Sequence, residues 1–439
     1  MISAASPAGA PAPRSAVDGG GSAQRRARVE DALAHRQPDR LPLDFGSTVT
    51  SGIHVSVVAE LRRHYGLAEE PVRVVESMQM LGEIAPDLAA ALGIDTIGVL
   101  PPRSAFGFAN RGWKPWRTPW GQEVLVPAGF RVRQRPDGGV LIHPQGDEAA
   151  EPSALMPAGG WFFDALHRAA PAPAEPVPED NCEEFGLLGA EDLEHYRREV
   201  DSAHTTGRAV VLSGSGTSLG NISHVPGPSL LHPRGIRSID DWYAATAERP
   251  EFIAAVFAHQ VRVGLANLTS LHAAVGDAVS AIYLCGTDFG TQRGPICSRR
   301  SFQSLYLPYY RELTGWIHAH TRWKVFKHCC GGVRPFLEDF VAAGFDILNP
   351  VQCSATGMEA AGLKRDFGER MTFWGGVVDT QRTLPFGTPE EVRREVLERC
   401  AVFAPGGGFV VNAIHNVQAG TPLANLVALI EAVREFDRR

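Results

Sequence analysis

A short stretch of the sequence combines side chains that bind metal ions. In FKHCCGG (326–332), His328, Cys329 and Cys330 follow an apolar run and precede two glycines. At a strand end, residues two apart face the same side, so His328 and Cys330 point together and Cys329 points away. An imidazole nitrogen and a thiolate sulfur are ligands that Zn2+ prefers. The alternative is buried packing, since free cysteine is among the most buried residue types.

A third donor from another part of the chain would favour the metal interpretation, and His415 is the candidate. It lies in IHNVQAGTPLAN (414–425), before a helix that Thr421 and Pro422 are expected to open. Its alternative role is a lone histidine hydrogen-bonded near a helix start. Asp288, in CGTDFGTQRGP (285–295), could be a fourth ligand, a general acid–base group or a turn residue. The sequence leaves these three roles open.

The composition is that of a globular protein without a nucleic-acid or membrane partner. Of 439 residues, 44% are hydrophobic and 21% charged, and the net charge of −7 includes no dominant basic face. No apolar stretch reaches the roughly 18 residues that a membrane helix needs. Residues 1–26 are rich in Ala, Pro, Gly and Ser, and predict a disordered tail. Seven irregularly spaced cysteines and no signal-like segment predict reduced thiols in the cytoplasm.

Eight apolar runs alternate with segments of helical periodicity, one of which predicts a helix over residues 74–91. Most of the runs are continuously apolar, as in parallel strands that are covered on both faces. The alternation predicts an α/β fold, specifically a (β/α)8 barrel rather than an open doubly wound sheet, and no G-x-G-x-x-G follows the first run. The runs are RLPLDF (40–45), GIDTIGV (93–99), RAVVLSG (208–214), AVSAIYL (278–284), KVFKHC (324–329), FDILNPV (345–351), MTFWGGV (371–377) and FVVNAI (409–414).

The alternation is interrupted at about residues 100–188. This β-rich stretch includes FRVRQRPDGGVLIHP (130–144), which predicts a hairpin with its turn at PDGG. We therefore expect residues 27–439 to form a single barrel domain with an insertion at 100–188 that caps one mouth. A separate small domain is the alternative.

In (β/α)8 barrels the active site lies on the loops at the carboxyl ends of the strands. Polar side chains follow the predicted strands at those positions. Asp288 and His415 are the predicted catalytic residues, and His328, Cys330 and His415 the predicted metal ligands. The predicted substrate-binding residues are Asp44, Gln292, Asn349, Gln352 and Asp379.

Several motifs together resemble the uroporphyrinogen decarboxylase superfamily, and especially its branch of zinc-dependent corrinoid methyltransferases. This resemblance implies a (β/α)8 barrel of the uroporphyrinogen decarboxylase and methionine synthase type. It runs from about residue 35 to the C-terminus and is weakest across the insertion. The motifs are PDRLPLDFG (38–46), GTDFGTQRGP (286–295), KHCCGGVRPFLEDFVAAGFDILNPVQ (327–352), GMEAAGLKRDFGERMTFWGGVVDTQ (357–381) and HNVQAGTPLANLVALIEAV (415–433).

The resemblance covers two chemistries. In the methyltransferases an H-x-C motif and a later cysteine bind zinc. His328 and Cys330 match the motif, while His415 stands where the later cysteine would be. The decarboxylases have a histidine at that later position, but they lack H-x-C and carry a paired-arginine motif where this chain has only Arg40. The resemblance therefore favours a zinc enzyme that moves a methyl group between a methyl-corrinoid, or a methylated small molecule, and a thiol or folate-type acceptor.

The partners implied are a small-molecule substrate and a corrinoid protein, and the family also suggests a homodimer. The first alternative is cofactor-free decarboxylation of a tetrapyrrole or a related acid, with Asp288 or Asp44 stabilising a protonated ring. The second is a non-catalytic protein that binds a tetrapyrrole or corrinoid. The sequence does not identify the methyl donor or the acceptor.

Overall fold

A computed structural model describes residues 22–168, 175–214 and 217–439. Its strands, in chain order, are β1 Ile53–His54, β2 Val72–Glu76, β3 Leu81–Gly82, β4 Thr96–Val99, β5 Lys114–Arg117, β6 Glu123–Val126, β7 Val132–Gln134, β8 Val140–Ile142, β9 Ala154–Met156, β10 Asp164–Ala165, β11 Ala209–Ser213, β12 Ala281–Cys285, β13 Gly290–Thr291, β14 Gly294–Pro295, β15 Lys324–His328, β16 Ile347–Asn349, β17 Thr372–Trp374 and β18 Phe409–Val410.

The central element is a curled parallel sheet of seven strands in the order β18-β17-β16-β15-β12-β11-β4. Every neighbouring pair in this sheet is parallel. All five residues of β11 are buried, which is why its sequence lacks the alternation of a half-exposed strand. Seven of the eight predicted runs overlap a strand of this sheet, and the α/β class is confirmed.

The helices mostly follow strands, except for the first, which precedes them and packs in a core cluster with Phe326 and Trp374 of the parallel sheet. They are α1 Ser22–Leu33, α2 Val55–His64, α3 Pro86–Leu92, α4 Ala190–Thr205, α5 Ile239–Glu248, α6 Pro250–Val275, α7 Arg299–Leu305, α8 Leu307–His320, α9 Leu337–Ala342, α10 Ala360–Phe367, α11 Thr383–Phe386, α12 Pro389–Phe403 and α13 Leu423–Asp437. Among the described helices, only α6 is long and apolar enough to cross a membrane, and half of its most apolar window is buried against other parts of the protein.

The first predicted run does not form a regular strand, but it contacts both edges of the parallel sheet. Leu43 forms an isolated parallel bridge with Val411. The Asp44 N–H donates to the Val411 carbonyl at 2.9 Å, and the Val411 N–H donates to the Pro42 carbonyl at 2.8 Å. On its other side, the Leu43 carbonyl accepts from the Asp95 N–H at 2.9 Å. The segment thus lies between the two outermost strands of the curled sheet.

Two boundaries differ from the sequence predictions. Helix α1 begins at Ser22, so the predicted tail at 1–26 extends too far, and its residues 1–21 lie outside the described part of the chain. A helix expected over 74–91 is instead β2, β3 and the short α3. Gly82 is confined by Val55 and Val72, and Pro86 begins the helix, since proline suits a first helical turn and not its interior.

The predicted β-rich insertion consists of antiparallel strands. β7 and β8 pair as the expected hairpin, in whose turn the Arg135 N–H donates to the Gly139 carbonyl at 2.8 Å and the Gly138 N–H donates to the Arg135 carbonyl at 3.0 Å. They form a four-stranded sheet in the order β10-β9-β8-β7. Phe163 contacts both Phe106 and Phe130, and all three belong to the main hydrophobic core.

Gly98 of β4 tests the close contact between this strand and the loop after the first run. A Cβ at Gly98 would lie 2.3 Å from the Ser47 carbonyl oxygen. We expect Gly98→Ala to lower the free energy of unfolding by about 1–3 kcal/mol, because backbone must move. Gly315 is the control: it is exposed in α8 with open space around it, so Gly315→Ala should stabilise by up to about 1 kcal/mol. Equal urea midpoints for the two variants would contradict the described contact.

Candidate metal centre

Three predicted ligands from two distant parts of the chain converge at the carboxyl end of the parallel sheet. His328 is the last residue of β15, Cys330 follows two residues later, and His415 lies on the loop after β18. Their donor atoms all lie within 4.8 Å of one another. The His328 Nε2 to Cys330 Sγ distance is 3.3 Å, and the two imidazole centroids are 5.3 Å apart. This is a set of donors that could hold a metal ion.

The ring of His328 is held with one nitrogen available to a ligand. Its Nδ1 lies 2.6 Å from Asn349 Oδ1. The amide orientation follows from Asn349 Nδ2, which donates to the Trp374 carbonyl at 2.9 Å, and from Thr50 Oγ1, which donates to Asn349 Oδ1 at 3.1 Å. Because Oδ1 can only accept, Nδ1 of His328 carries the proton. The Nε2 lone pair therefore faces Cys330, as in histidines that ligate metals.

His415 is held in the same way by its sequence neighbour. Its Nδ1 lies 2.7 Å from Asn416 Oδ1. Asn416 Nδ2 donates to the Val49 carbonyl at 3.5 Å and to Gln79, and Gln418 Nε2 donates to Asn416 Oδ1 at 2.8 Å. These contacts place an acceptor oxygen against the ring, so Nδ1 is protonated and Nε2 carries the lone pair.

Side chains from two neighbouring loops accept hydrogen bonds from the backbone of the Cys330 segment and position it. Asp288 Oδ1 accepts from the Cys330 N–H at 2.7 Å, and Gln352 Oε1 accepts from the Gly331 N–H at 2.7 Å. Cys329 points away into the core, where its Sγ accepts from the Phe289 N–H at 3.1 Å. Among the described residues, Asp288 is not part of the converging donor set. Its carboxylate contacts the loop that carries Cys330, both at the backbone N–H and at the thiol.

A buried lysine beside His328 tethers the Asp288 loop. Lys327 is fully buried, and its Nζ donates to the Thr287 carbonyl at 2.6 Å. The ammonium group also lies 5.1 Å from the centroid of Phe289 and 5.4 Å from that of Tyr310. Cation–π contacts of this kind stabilise a desolvated cation. Lys327 therefore connects β15 to the segment that places Asp288.

Burial determines the protonation states of these groups. Desolvation lowers the pKa of His328 well below its ordinary value, with a smaller contribution from the nearby His415. Desolvation also lowers the pKa of His415. It raises the pKa of the Cys330 thiol, and the Asp288 charge raises it further. Without a cation the site therefore holds two neutral imidazoles and a protonated thiol.

A cavity of about 220 Å3 borders the Cys330 and His415 side chains. Gln292 and Gln352, two of the predicted substrate-binding residues, line it, and so does Gln381. Gln292 Nε2 donates to Gln381 Oε1 at 2.8 Å, which joins two loops at the cavity. A larger cavity of about 650 Å3 lies between α3, α4 and β4, and none of the three donors lines it.

The other predicted substrate-binding residues do not line the smaller cavity. Asn349 is fully buried against His328. Asp44 is also fully buried; burial raises its pKa, and its carboxylate accepts from Thr96 Oγ1 at 2.7 Å and from the Trp374 indole at 2.8 Å. Asp379 Oδ1 accepts from the Gln381 N–H at 2.6 Å and from a second backbone N–H, so it forms a turn.

Three residues that contribute to the metal centre or its cavity were not among the predicted site residues. Asn416 orients His415, and its position directly after a candidate ligand was an available signal. Gln381 follows the seventh run closely, as the other cavity residues follow theirs. Thr50 lies in a loop without a distinctive motif, and its contact with Asn349 depends on tertiary structure alone.

Residues 234–436 match the family model described as Uroporphyrinogen decarboxylase (URO-D). The matched region contains all three donors, and it confirms the family predicted from the motifs over slightly less than half of the chain. No curated protein sequence matches the chain.

Three solved structures are similar to the chain at low sequence identity. A methyltransferase from Methanosarcina mazei is 16% identical, with a TM-score of 0.53 over 94% of this chain and 98% of that one. D-psicose 3-epimerase from Clostridium cellulolyticum H10 is 11% identical, with a TM-score of 0.31 over 59% of this chain and 86% of that one. Endo-glycoceramidase II from Rhodococcus sp. is 15% identical, with a TM-score of 0.32 over 58% and 68%. The first similarity supports a TIM-barrel-like fold.

Asn349 tests the orientation of His328. We expect Asn349→Leu to weaken binding of a divalent metal ion by about 10- to 100-fold, because the acceptor that fixes the ring is lost. Asn349→Asp keeps an acceptor oxygen for Nδ1 and should retain affinity more closely. Competition with a chelating dye measures both variants. Equal losses in the Leu and Asp variants would contradict the orienting role.

The protonated thiol predicts how metal binding depends on pH. Binding must displace the Cys330 proton, so about one proton should be released per ion at pH 7. Because the thiol pKa is raised, affinity should increase about tenfold per pH unit through pH 6–8, whereas the lowered histidine pKa values contribute nothing there. Calorimetry in buffers of different ionisation enthalpy counts the protons. The control, Cys330→His, should release none, and pH-independent affinity in the wild type would contradict the expectation.

Proposed function

Starting from a chain whose residues 234–436 match the uroporphyrinogen decarboxylase family model, we propose that the protein is a zinc-dependent methyltransferase acting between a methyl-corrinoid, or a methylated small molecule, and a thiol or folate-type acceptor. The observation that carries this proposal is the convergence of His328, Cys330 and His415. Each histidine is held through Nδ1, which leaves the lone pair of its Nε2 available to a metal ion.

The donor set suits zinc. Ligands at ~2.0–2.3 Å in a tetrahedral arrangement lie about 3.3–3.6 Å apart, and the His328 Nε2 to Cys330 Sγ distance is 3.3 Å. Three protein ligands leave one position for a substrate in catalytic zinc sites. Zinc, when bound, would supply a Lewis acid that lowers the pKa of a thiol ligand toward neutrality. Asp288 and Gln352 would act as positioning residues that hold the loop carrying Cys330.

We propose that the thiol acceptor occupies the cavity beside Cys330 and His415. Its sulfur forms a bond to the methyl carbon as the carbon–cobalt bond breaks, the cobalt retains the electron pair, and the thiol proton leaves to solvent. The cavity of about 220 Å3 lies below the roughly 300–1,000 Å3 of pockets that take drug-sized ligands, and a corrinoid is larger still. A corrinoid would therefore be presented from outside, by a partner protein docked at the mouth.

We further propose that the segment around Leu43 closes the curled sheet into a (β/α)8 barrel. Its hydrogen bonds to Val411 on one side and to Asp95 on the other support this closure. In such barrels the site lies at the carboxyl ends of the strands, where the three donors converge.

The decarboxylase alternative has less support. A substrate with eight carboxylates needs cationic partners, and no Arg or Lys side chain of the described residues lines the small cavity. The Asp44 carboxylate, suggested for that chemistry, is already bonded to Thr96 and Trp374.

Purified protein should contain about one zinc ion per chain and transfer methyl groups from methylcobalamin to a thiol. His328→Ala and Cys330→Ser should lose the metal, and transfer should fall at least about 100-fold in His415→Ala. Cys329→Ser is the matched control, because its Sγ faces the core and its hydrogen bond can be kept by a hydroxyl. Metal analysis and the absorbance of methylcobalamin measure both effects.

Two outcomes would replace the proposal. Zinc-free protein that releases CO2 from a porphyrinogen would establish decarboxylation. Zinc-free protein that binds a tetrapyrrole without turnover would establish the non-catalytic alternative.

A further inference from the structure

We propose that the cavity beside the metal centre takes an uncharged substrate, and that Gln352 recognises a hydrogen-bond acceptor on it through Nε2. The inference rests on the proposed function and deepens it by naming the substrate class. It follows from one buried amide with a free donor and from the uncharged lining of the cavity.

The side chain of Gln352 has one half of its amide engaged and the other half available. Only 6% of the residue is exposed, and Oε1 accepts from the Gly331 N–H at 2.7 Å. That bond fixes the amide, because only its oxygen can accept. Nε2 has no hydrogen-bond partner among the described residues, although Gln352 lines the cavity. Nε2 is not among the described buried side-chain atoms that lack a partner, so it is open to the cavity, where an acceptor on a substrate can take its hydrogen bond.

The available donor lies close to the reacting centre. Gln352 is bonded to Gly331, the residue after Cys330, so the amide and the thiol share one cavity wall. An acceptor on the substrate, such as a hydroxyl, ether or carbonyl oxygen, would therefore be separated by only a few bonds from the atom that gains or loses the methyl group.

The rest of the lining is polar but uncharged. Thr291, Gln292, Thr380 and Gln381 provide hydroxyl and amide groups, and no Asp, Glu, Lys or Arg of the described chain lines the cavity. Placing a charged substrate group there would cost its hydration without an opposite charge in return. Amides and hydroxyls can pair with neutral polar groups as either donors or acceptors. The lining thus favours neutral substrates over carboxylates, sulfonates and phosphates.

The recognition role can be separated from the structural role of Gln352. Gln352→Glu keeps an oxygen that can accept from Gly331, and it replaces the free N–H donor with an acceptor. Gln352→Leu removes both. If Gln352 is purely structural, the Glu variant should bind every ligand better than the Leu variant. If Gln352 recognises the substrate, both variants should lose the preference for ligands that carry an acceptor.

The test uses protein loaded with Co2+, whose absorption spectrum reports thiol binding and metal content separately. The probes are 2-methoxyethanethiol and 3-methoxy-1-propanethiol, whose ether oxygens can only accept, with 1-butanethiol and 1-pentanethiol as matched thiols that lack the acceptor, and mercaptoacetate as the anion. In the wild type, the better methoxythiol should bind at least about fivefold more tightly than its matched alkanethiol, the contribution of about one hydrogen bond. It should also bind more tightly than mercaptoacetate.

In Gln352→Glu the preference for the methoxythiol should disappear, mercaptoacetate should bind more weakly still, and one metal ion per chain should remain. A preference for methoxythiols that survives in this variant would overturn the role of Gln352. Tightest binding of mercaptoacetate to the wild type would overturn the uncharged substrate class while leaving the methyltransferase proposal in place. Wild-type protein that binds no metal would overturn both.

Discussion

The curl of the parallel sheet is the constraint on which the candidate site depends. β15 and β18 are three positions apart in the sheet order, so about 4.8 Å per strand would separate them by roughly 14 Å in a flat sheet. The donor atoms that follow these strands instead lie within 4.8 Å of one another. A curled sheet brings strand ends closer together on its concave side, so the curl and the loop that carries His415 together bring the donors within reach of one another. Whatever maintains the curl therefore maintains the site.

Buried polar contacts connect the curl to the ligands. Asn349 of β16 accepts from the His328 ring on β15 and donates to the Trp374 carbonyl on β17, so one amide spans three adjacent strands. The Trp374 indole donates in turn to Asp44, which lies between the outermost strands. The carboxylate, indole, amide and imidazole thus form one continuous set of contacts. A buried set of this kind is stabilising only when its members are paired, and these hydrogen bonds pair each of the four groups.

Much of this site follows from local rules, and the remainder does not. Alternation at a strand end was sufficient to place His328 and Cys330 on one side and Cys329 on the other. The rule that barrel sites lie at the carboxyl ends of strands was sufficient to nominate His415. Neither rule distinguishes a side chain that faces a substrate from one that faces its neighbour. Asn349 was therefore expected to bind substrate, whereas it orients His328.

The errors in the fold have a similar origin. The segment around Leu43 has the composition of a strand, but it pairs with Val411 through a single isolated bridge. The number of residues that pair depends on the curvature of the sheet beside the segment, which the sequence of the segment does not encode. The prediction of a helix over 74–91 was wrong because it relied on the spacing of apolar residues and overlooked the local geometry. Val72–Glu76 is rich in β-branched residues, and Gly82 packs where a side chain would collide with Val55 and Val72.

The donor set and the cavity lining together define an electrostatic character for the site. Two neutral imidazoles and one thiolate around a divalent ion leave a charge of +1, whereas one imidazole and two thiolates leave none. The additional positive charge favours an anionic ligand atom, and a thiolate at the fourth position would make the whole site neutral. Since the surrounding cavity has no charged side chain among the described residues, a second charge on the substrate would remain unpaired. A histidine at position 415 and an uncharged lining are therefore consistent with each other: both suit a substrate whose only charge is the one it acquires on losing its thiol proton.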